Sequence, residues 1–219
     1  MGKIQRFDLT RLQKDFSTKV FFETGTFTGD GVAWALQTPF DKVESVEIVP
    51  ELAQKCRERF SGNDKVIIHQ SDSVTALQQR LPQIKGNILF WLDAHFPGAD
   101  AGLQSYEGEA ENIRLPLEEE LRTIASLRKK NRDVFILDDL RIYEDGNYEN
   151  GNVPADALPV GSRNIDFVIE LFEPTHRIMR LYRDEGYILL LPKKKYFQKH
   201  FRISNLFGKP LEDDPYYVD

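Results

Sequence analysis

The chain reads VFFETGTFTGDG over residues 20–31, and this stretch decides the fold. It opens with a short apolar run that suits a buried strand, and it continues into a turn rich in glycine. A helical pattern follows, with apolar Val32, Trp34, Ala35 and Leu36. A strand, a glycine-rich turn and a helix in this order predict a βαβ unit whose turn passes close to a ligand.

Outward from this unit, strand-sized apolar runs alternate with helical patterns along the chain. This alternation predicts an α/β fold with a Rossmann-like, doubly wound sheet that is mostly parallel. The last two strands flank the turn at 184–186, and we expect them to form a C-terminal antiparallel hairpin. We expect Ser73 to be the N-cap of one helix. Further strands are predicted at 43–48, 66–68, 88–92, 134–137, 176–182 and 187–191, and further helices at 50–60, 74–81, 116–130 and 165–172.

The length of 219 residues favours a single domain with one core. We expect this core at about 18–192, interrupted by two long loops at 97–115 and 143–161 that have neither helical nor strand periodicity. Long loops in compact domains are often lids, so both are candidates for closing over a substrate. The tail at 197–219 has no assigned place in this core.

Composition and charge exclude several classes of protein. Hydrophobic residues make up 41% and charged residues 29%, which is the balance of an ordinary globular protein rather than of a disordered or collagen-like chain. The apolar runs are too short for a membrane span, and the N-terminal segment lacks the layout of a secretory signal. The single cysteine, Cys56, needs no oxidising compartment, so we expect a cytoplasmic protein without a membrane partner. The net charge of −6 opposes nucleic acid, so no nucleic-acid partner is expected.

Residues at the ends of the first two predicted strands favour an adenosine-containing cofactor. Glu47 lies 22 residues after Gly25, at a position where a carboxylate can accept hydrogen bonds from both hydroxyls of a ribose. The glycine pattern departs from the G-x-G-x-x-G of dinucleotide enzymes, because Phe27 stands in its middle. Asp30 at the start of the helix would also repel a pyrophosphate. An acidic pocket instead suits a cofactor that carries positive charge and no phosphate.

Carboxylates also follow two other strands of the predicted sheet. Asp93 follows the fourth strand, and Asp138 and Asp139 follow the fifth. Because ligands bind at the carboxyl ends of the strands in such sheets, we expect these acids to converge. Oxygen ligands of this kind suit a hard cation such as Mg²⁺, and His95, close to Asp93, is a candidate general base. The plain alternative is that these side chains cap loops or bond to the backbone.

With these motifs in this order, residues 20–139, and more loosely the chain as far as Pro192, resemble the class I S-adenosylmethionine-dependent methyltransferases. The likeness is to the metal-dependent O-methyltransferases of the catechol and macrocin types. It implies a seven-stranded sheet whose last strand is antiparallel, with S-adenosyl-L-methionine as the cofactor. The resemblance places the cofactor's amino group near Glu23, its ribose near Glu47 and its adenine near Asp72 and Ser73. Other cofactor contacts are implied at Thr24, Gly25, Thr26, Phe27, Gly29, Ile48 and Asp93. The implied ligands of Mg²⁺ are Asp93, Asp138 and Asp139.

One departure from these families concerns the base. Catechol O-methyltransferase has a lysine shortly after the acid of the fourth strand, where this chain has Phe96, so His95 is the nearest substitute. The leading hypothesis is methyl transfer to a hydroxyl, with His95 and Asp93 as catalytic residues. The expected partner is a small-molecule acceptor such as a sugar, a polyketide or a phenol. The alternatives are a metal-free methyltransferase acting on nitrogen or another small acceptor, and a cofactor-binding protein without catalysis; a homodimer is left open.

Overall fold

The structure is a computed structural model that describes residues 3–95, 115–130, 132–153, 163–193 and 216–218. Nearly all of the predicted loop at 97–115, the second half of the loop at 143–161 and most of the tail at 197–219 lie outside the described residues. The predictions made for those segments therefore stay predictions.

The described chain contains seven strands, six α-helices and three short 3-10 helices, at Ile4–Arg6, Leu81–Gln83 and Leu140–Ile142. The strands are β1 (Thr18–Thr24), β2 (Lys42–Glu47), β3 (Val66–Gln70), β4 (Asn87–Leu92), β5 (Val134–Leu137), β6 (His176–Leu181) and β7 (Tyr187–Pro192). The helices are α1 (Leu9–Phe16), α2 (Asp30–Ala35), α3 (Pro50–Arg59), α4 (Ser73–Arg80), α5 (Leu117–Leu127) and α6 (Asp166–Phe172).

The strands form one sheet in the order β3-β2-β1-β4-β5-β7-β6. Strands β1 to β5 pair in parallel, and β7 is antiparallel to both β5 and β6. The predicted Rossmann-like sheet of seven strands with a C-terminal antiparallel hairpin is confirmed. The strand order reverses between β1 and β4 at the centre, so a ligand crevice is expected at their carboxyl ends.

Apolar side chains of the strands alternate between the two faces of the sheet, as strand geometry requires. In β4, Leu89 and Trp91 pack on one face with helices α1, α2 and α3. The side chains of Ile88, Phe90 and Leu92 pack on the other face with α4, α5 and α6. Helices therefore cover both faces, which is how a largely parallel sheet is buried.

The N-cap of α4 differs from the expectation. Asp72, and not Ser73, is the N-cap of α4, because the Asp72 side chain accepts a hydrogen bond from Thr75 N at 2.8 Å. A carboxylate at this position also interacts favourably with the positive end of the helix dipole.

Helix α1 was not expected, because its mixed charges obscured the apolar positions Leu9 and Leu12, which are buried. None of the helices in the described part of the chain is long and apolar enough to span a bilayer.

The described end of the tail packs against the N-terminal segment. Tyr217 forms an antiparallel bridge with Phe7, and Val218 N donates to the carbonyl of Arg6 at 2.6 Å. The Tyr217 hydroxyl donates to Asp184 at 3.1 Å, in the turn between β6 and β7. Residues 216–218 thus connect the N-terminal segment to the C-terminal hairpin.

A buried ion pair joins the amino ends of β4 and β5. Arg128 donates to both carboxylate oxygens of Asp133, from Nε at 2.6 Å and from Nη2 at 2.8 Å. The same carboxylate accepts from Ile88 N at 2.7 Å, and the guanidinium also donates to the carbonyl of Gly86 at 2.6 Å. Both charged side chains are 3% exposed, so their charges must be compensated inside the protein.

Asp133→Asn should therefore destabilise the fold by about 3–5 kcal/mol, because it leaves the Arg128 guanidinium buried without its counter-charge. Urea unfolding followed by circular dichroism measures this difference. The matched control is Glu118→Gln, which removes an acid from an exposed ion pair with Arg122 and should cost less than about 1 kcal/mol. Equal losses in the two variants would contradict the role given to Asp133.

Candidate active site

The carboxyl ends of four neighbouring strands bring the predicted site residues to one edge of the sheet. Asp93 N donates to the carbonyl of Thr24 at 3.1 Å, and Asp138 N donates to that of Leu92 at 3.1 Å. Strand β2 lies on the other side of β1 and ends at Glu47. The end of β1 is therefore flanked by acids on both sides.

The loop between β1 and α2 folds over the end of β2. The N–H groups of Gly25 and Thr26 both donate to the carbonyl of Val46, at 2.9 and 3.1 Å. Gly25 has a φ of 84°, and a side chain at this position would overlap the carbonyl of Asp93, so only glycine fits. Phe27 has a left-handed φ of 48° although it is not a glycine. Such strain concentrates at functional sites, which supports this loop as a ligand cradle.

Glu47 fixes this loop through its carboxylate. Oε2 accepts from Phe27 N at 2.8 Å, and Oε1 accepts from Val49 N at 2.9 Å. The side chain is 5% exposed, and burial raises the pKa of its carboxyl. Because each carboxylate oxygen has a second lone pair, Glu47 can hold the loop and still accept a hydrogen bond from a hydroxyl. Ile48 follows it at the rim and is half-buried.

Glu23 lies beneath the loop. Its carboxylate accepts from the hydroxyl of Ser45, which is also hydrogen-bonded to that of Thr26. The backbone of Gly31 packs directly on the Glu23 carboxylate and leaves no room for a side chain. Glu23 is 2% exposed, and burial raises its pKa to about 8. In the structure Glu23 supports the loop, and its direct contact with a cofactor stays a prediction.

Helix α3 covers the outer side of the loop. Cys56 Sγ donates to the carbonyl of Phe27 at 3.2 Å, and Gly29, with a φ of 85°, lies against the same cysteine. The guanidinium of Arg59 pairs with Asp30 at 2.8 Å. Because this pair compensates the charge of Asp30, Asp30 would repel a pyrophosphate less strongly than the sequence suggests.

Asp72 and Ser73 lie at the start of α4, on another part of the rim. Asp72 uses one carboxylate oxygen to cap the helix, so the capping role is established by geometry. Ser73 is 7% exposed and lies beside Glu120 of α5. An adenine contact by Asp72 or Ser73 stays a prediction.

The acids that follow β4 and β5 meet around His95. Its Nε2 lies 2.8 Å from Asp139 Oδ2, and its Nδ1 lies 3.4 Å from Asp93 Oδ1. Ligand atoms of Asp93, His95 and Asp138 lie within 4.8 Å of one another. Both carboxylate oxygens of Asp138 are buried, and the Asp138 carboxyl, when protonated, can donate a hydrogen bond to that of Asp93. The structure thus brings together the acids that the sequence singles out.

The environments of these acids differ. Burial raises the pKa of Asp93 and of Asp138 well above the usual range, and neighbouring negative charges raise both further. Burial would raise the pKa of Asp139 as well, but His95 and the Arg141 guanidinium together hold it below its usual value. Asp139 Oδ1 accepts from Arg141 Nε at 3.0 Å, so both of its oxygens are engaged by the chain itself. The predicted metal set of Asp93, Asp138 and Asp139 therefore contains two kinds of carboxylate.

Sequence reasoning missed Glu120 and Ser45. Glu120 is 1% exposed, burial raises its pKa to about 7, and its Oε1 has no hydrogen-bond partner within the described part of the chain. It lies on the inward face of α5 with Leu117 and Ile124, and this helical spacing was a usable signal. Ser45 gave no signal, because its contact depends on its register opposite Glu23 in the sheet.

Comparisons with known proteins bear on the fold. No protein-family model matches the sequence, and no curated protein matches it. A putative caffeoyl-CoA O-methyltransferase from Staphylococcus aureus has a similar structure, with a TM-score of 0.57 and 14% identity over 88% of this chain and 85% of that one.

Two similar structures are complexes with S-adenosylhomocysteine. An O-methyltransferase from Bacillus cereus has a TM-score of 0.53 and 15% identity, covering 88% of this chain and 82% of its own. A methyltransferase from Podospora anserina has a TM-score of 0.55 and 14% identity, covering 85% of this chain and 76% of its own. The resemblance to class I S-adenosylmethionine-dependent methyltransferases is thus confirmed at the level of the fold.

The buried state of Glu23 predicts a pH dependence of stability. Its pKa rises from about 4.5 to about 8, so its stabilising contribution is complete below pH 4.5 and is lost as the pH rises towards 8. The free energy of unfolding of the natural protein, relative to Glu23→Gln, should fall by more than about 1 kcal/mol between pH 5 and pH 8. Urea unfolding at several pH values measures it, with Glu119→Gln, an exposed acid, as the control. A difference that is constant with pH would show that Glu23 is charged in the folded state.

Proposed function

We propose that the chain is an S-adenosylmethionine-dependent methyltransferase that acts on a hydroxyl of a small molecule with the help of a divalent cation. The observation that carries the proposal is the glycine loop held on Glu47, next to a cluster of buried acids, at the switch point of a methyltransferase fold. Two structures with this fold bind S-adenosylhomocysteine, which supports the same ligand class here.

The cofactor would lie over the loop between β1 and α2. Gly25 lets the loop pass against the carbonyl of Asp93 at the ends of β1 and β4, and Glu47 offers oriented lone pairs to the ribose hydroxyls. The oxygen of Asp72 that does not cap α4 would accept a hydrogen bond from the adenine amino group. A cofactor that carries a sulfonium and an ammonium charge would favour the ionised form of the Glu23 carboxyl beneath the loop.

Binding of S-adenosylhomocysteine tests the cofactor assignment without any acceptor. Glu47→Gln should raise the dissociation constant at least about tenfold, because a hydrogen bond to a charged acceptor is worth about 1.5 kcal/mol or more. Isothermal titration calorimetry measures this change, with Glu51→Gln, an exposed acid of α3, as the matched control. Unchanged affinity in Glu47→Gln would remove Glu47 from the site, and no binding to the natural protein would refute the proposed function.

The acids after β4 and β5 fit a hard divalent cation. Asp138 is 4% exposed and its carboxyl faces that of Asp93, so the two can be ionised together only at a high cost unless a cation compensates them. Asp93 and Asp138 would supply oxygen ligands, and the remaining ligands would include acceptor and water oxygens. A bound Mg²⁺ would lower the pKa of the acceptor hydroxyl and help to orient it. The predicted third ligand, Asp139, is engaged by His95 and Arg141.

His95 is the candidate base for the acceptor proton. Its Nε2 faces Asp139, so when that nitrogen carries the proton, Nδ1 has the lone pair and faces Asp93. This arrangement would place a proton acceptor beside the oxygen ligands. A sugar, polyketide or phenolic hydroxyl fits this chemistry equally well, so the identity of the acceptor stays open.

Asp138→Asn should strongly reduce Mg²⁺-dependent methyl transfer, because it removes a negative ligand from the proposed site. Affinity for S-adenosylhomocysteine should change by less than about twofold. Transfer of labelled methyl groups to a panel of sugars and phenols measures activity, and paramagnetic resonance of Mn²⁺ measures metal binding directly. The control is Asp145→Asn, an acid whose side chain is 70% exposed. Full activity of the natural protein in EDTA would favour the metal-free alternative instead.

A further inference from the structure

Five side chains of alternating charge type form a continuous row at the edge of the sheet. Glu185 Oε1 accepts from Arg141 Nη2 at 2.6 Å, and Arg141 Nε donates to Asp139 Oδ1 at 3.0 Å. The row continues from Asp139 Oδ2 to His95 Nε2 at 2.8 Å and from His95 Nδ1 to Asp93 Oδ1 at 3.4 Å. The base candidate is thus linked to the turn between β6 and β7.

The backbone holds the two ends of the Arg141 contact close together. Leu140 N donates to the carbonyl of Gly186 at 2.9 Å, and Arg141 N donates to that of Glu185 at 3.3 Å. Asp139 has a left-handed backbone, with a φ of 56° and a ψ of 48°, at the point where the chain leaves β5. Such a conformation is uncommon for a residue other than glycine and requires support from its surroundings.

Arg141 provides that support on the side-chain level. Its guanidinium bonds two carboxylates whose side chains are only 8% and 9% exposed, those of Asp139 and Glu185. Because one oxygen of Asp139 is held by Arg141, the other is directed towards His95. The planar guanidinium has the donor geometry for this double contact, which a lysine lacks.

The guanidinium of Arg141 also supplies the positive charge that a second metal ion would otherwise provide. Carboxylate oxygens of Asp138, Asp139 and Glu185 lie within 4.8 Å of one another, which is the spacing of a possible cation site. Two of the three acids already pair with Arg141. Asp138 is the member that this guanidinium leaves to the proposed metal.

We propose that Arg141, anchored by Glu185, is a positioning residue that holds Asp139 so that Asp139 orients the His95 ring towards the acceptor. This inference rests on the proposed function, which assigns the acceptor proton to His95. Arg141 itself touches neither cofactor nor acceptor in this scheme. Its effect should therefore be visible in the hydrogen bond of His95 before any turnover is measured.

The test is the ring N–H signal of His95 in protein labelled with ¹⁵N-histidine. The chain has four histidines, so the spectrum is simple, and the spectrum of His95→Gln assigns the signal. Arg141→Gln and Glu185→Gln should each shift the His95 Nε2–H resonance or lose it to solvent exchange. Arg141→Lys should restore it only in part, whereas guanidinium chloride should restore it in Arg141→Ala and sodium chloride should not.

Arg180→Gln is the matched control, because Arg180 lies in the hairpin that carries Glu185 and pairs with Glu144 rather than with a member of the row. An unchanged His95 signal in Arg141→Gln, or an equal change in Arg180→Gln, would overturn the proposal. If Arg141→Gln does not fold, Arg141→Lys and Glu185→Gln carry the same test. Calorimetry with S-adenosylhomocysteine on the same samples reports separately on the proposed function, since loss of cofactor binding leaves the His95 signal interpretable.

Discussion

The burial of carboxylates at the carboxyl edge of the sheet is the constraint on which the rest of the site depends. Parallel pairing brings the ends of β1, β2, β4 and β5 to this edge, and each of these strands carries an acid at or beside its end. A carboxylate removed from water loses several kcal/mol of hydration unless hydrogen bonds or an opposite charge replace it. The way in which each acid is compensated therefore determines what it can do.

The structure compensates these acids in four different ways. Glu23 receives a hydroxyl hydrogen bond from Ser45, but burial outweighs it and raises the pKa of this carboxyl to about 8. Glu47 receives two backbone N–H groups, which fix it as an oriented acceptor. Asp139 is held by basic side chains, and Asp138 pairs with the carboxyl of Asp93. Residues of similar chemistry thus lie in different environments, and the supporting, binding, positioning and ligand roles proposed for them follow from those environments.

The sequence predicts those features that depend on local patterns. Strand and helix periodicity places the elements to within a few residues, and the position of an acid after a strand places it at the edge. Contacts between residues far apart in the sequence carry no such pattern. Arg141 and Glu185 are 44 residues apart, and they meet because β7 of the hairpin pairs with β5 in the sheet. The N-cap of α4 was also not predicted correctly, because the neighbouring residues Asp72 and Ser73 both suit this position and only the geometry shows which of them caps the helix.

The pair Asp138 and Asp139 shows why neighbouring acids in a sequence are not equivalent ligands. The left-handed backbone at Asp139 interrupts the alternation of side-chain directions that β5 imposes. The side chains of Asp138 and Asp139 therefore lie in different surroundings. Asp139 pairs with the guanidinium of Arg141, whereas Asp138 lies beside Asp93. At this edge the carboxylate of Asp139 is neutralised by basic side chains of the chain, whereas Asp93 and Asp138 are two buried carboxyls that face each other. Under the proposed function, a single metal would therefore bind beside a histidine that the chain holds in place independently of it.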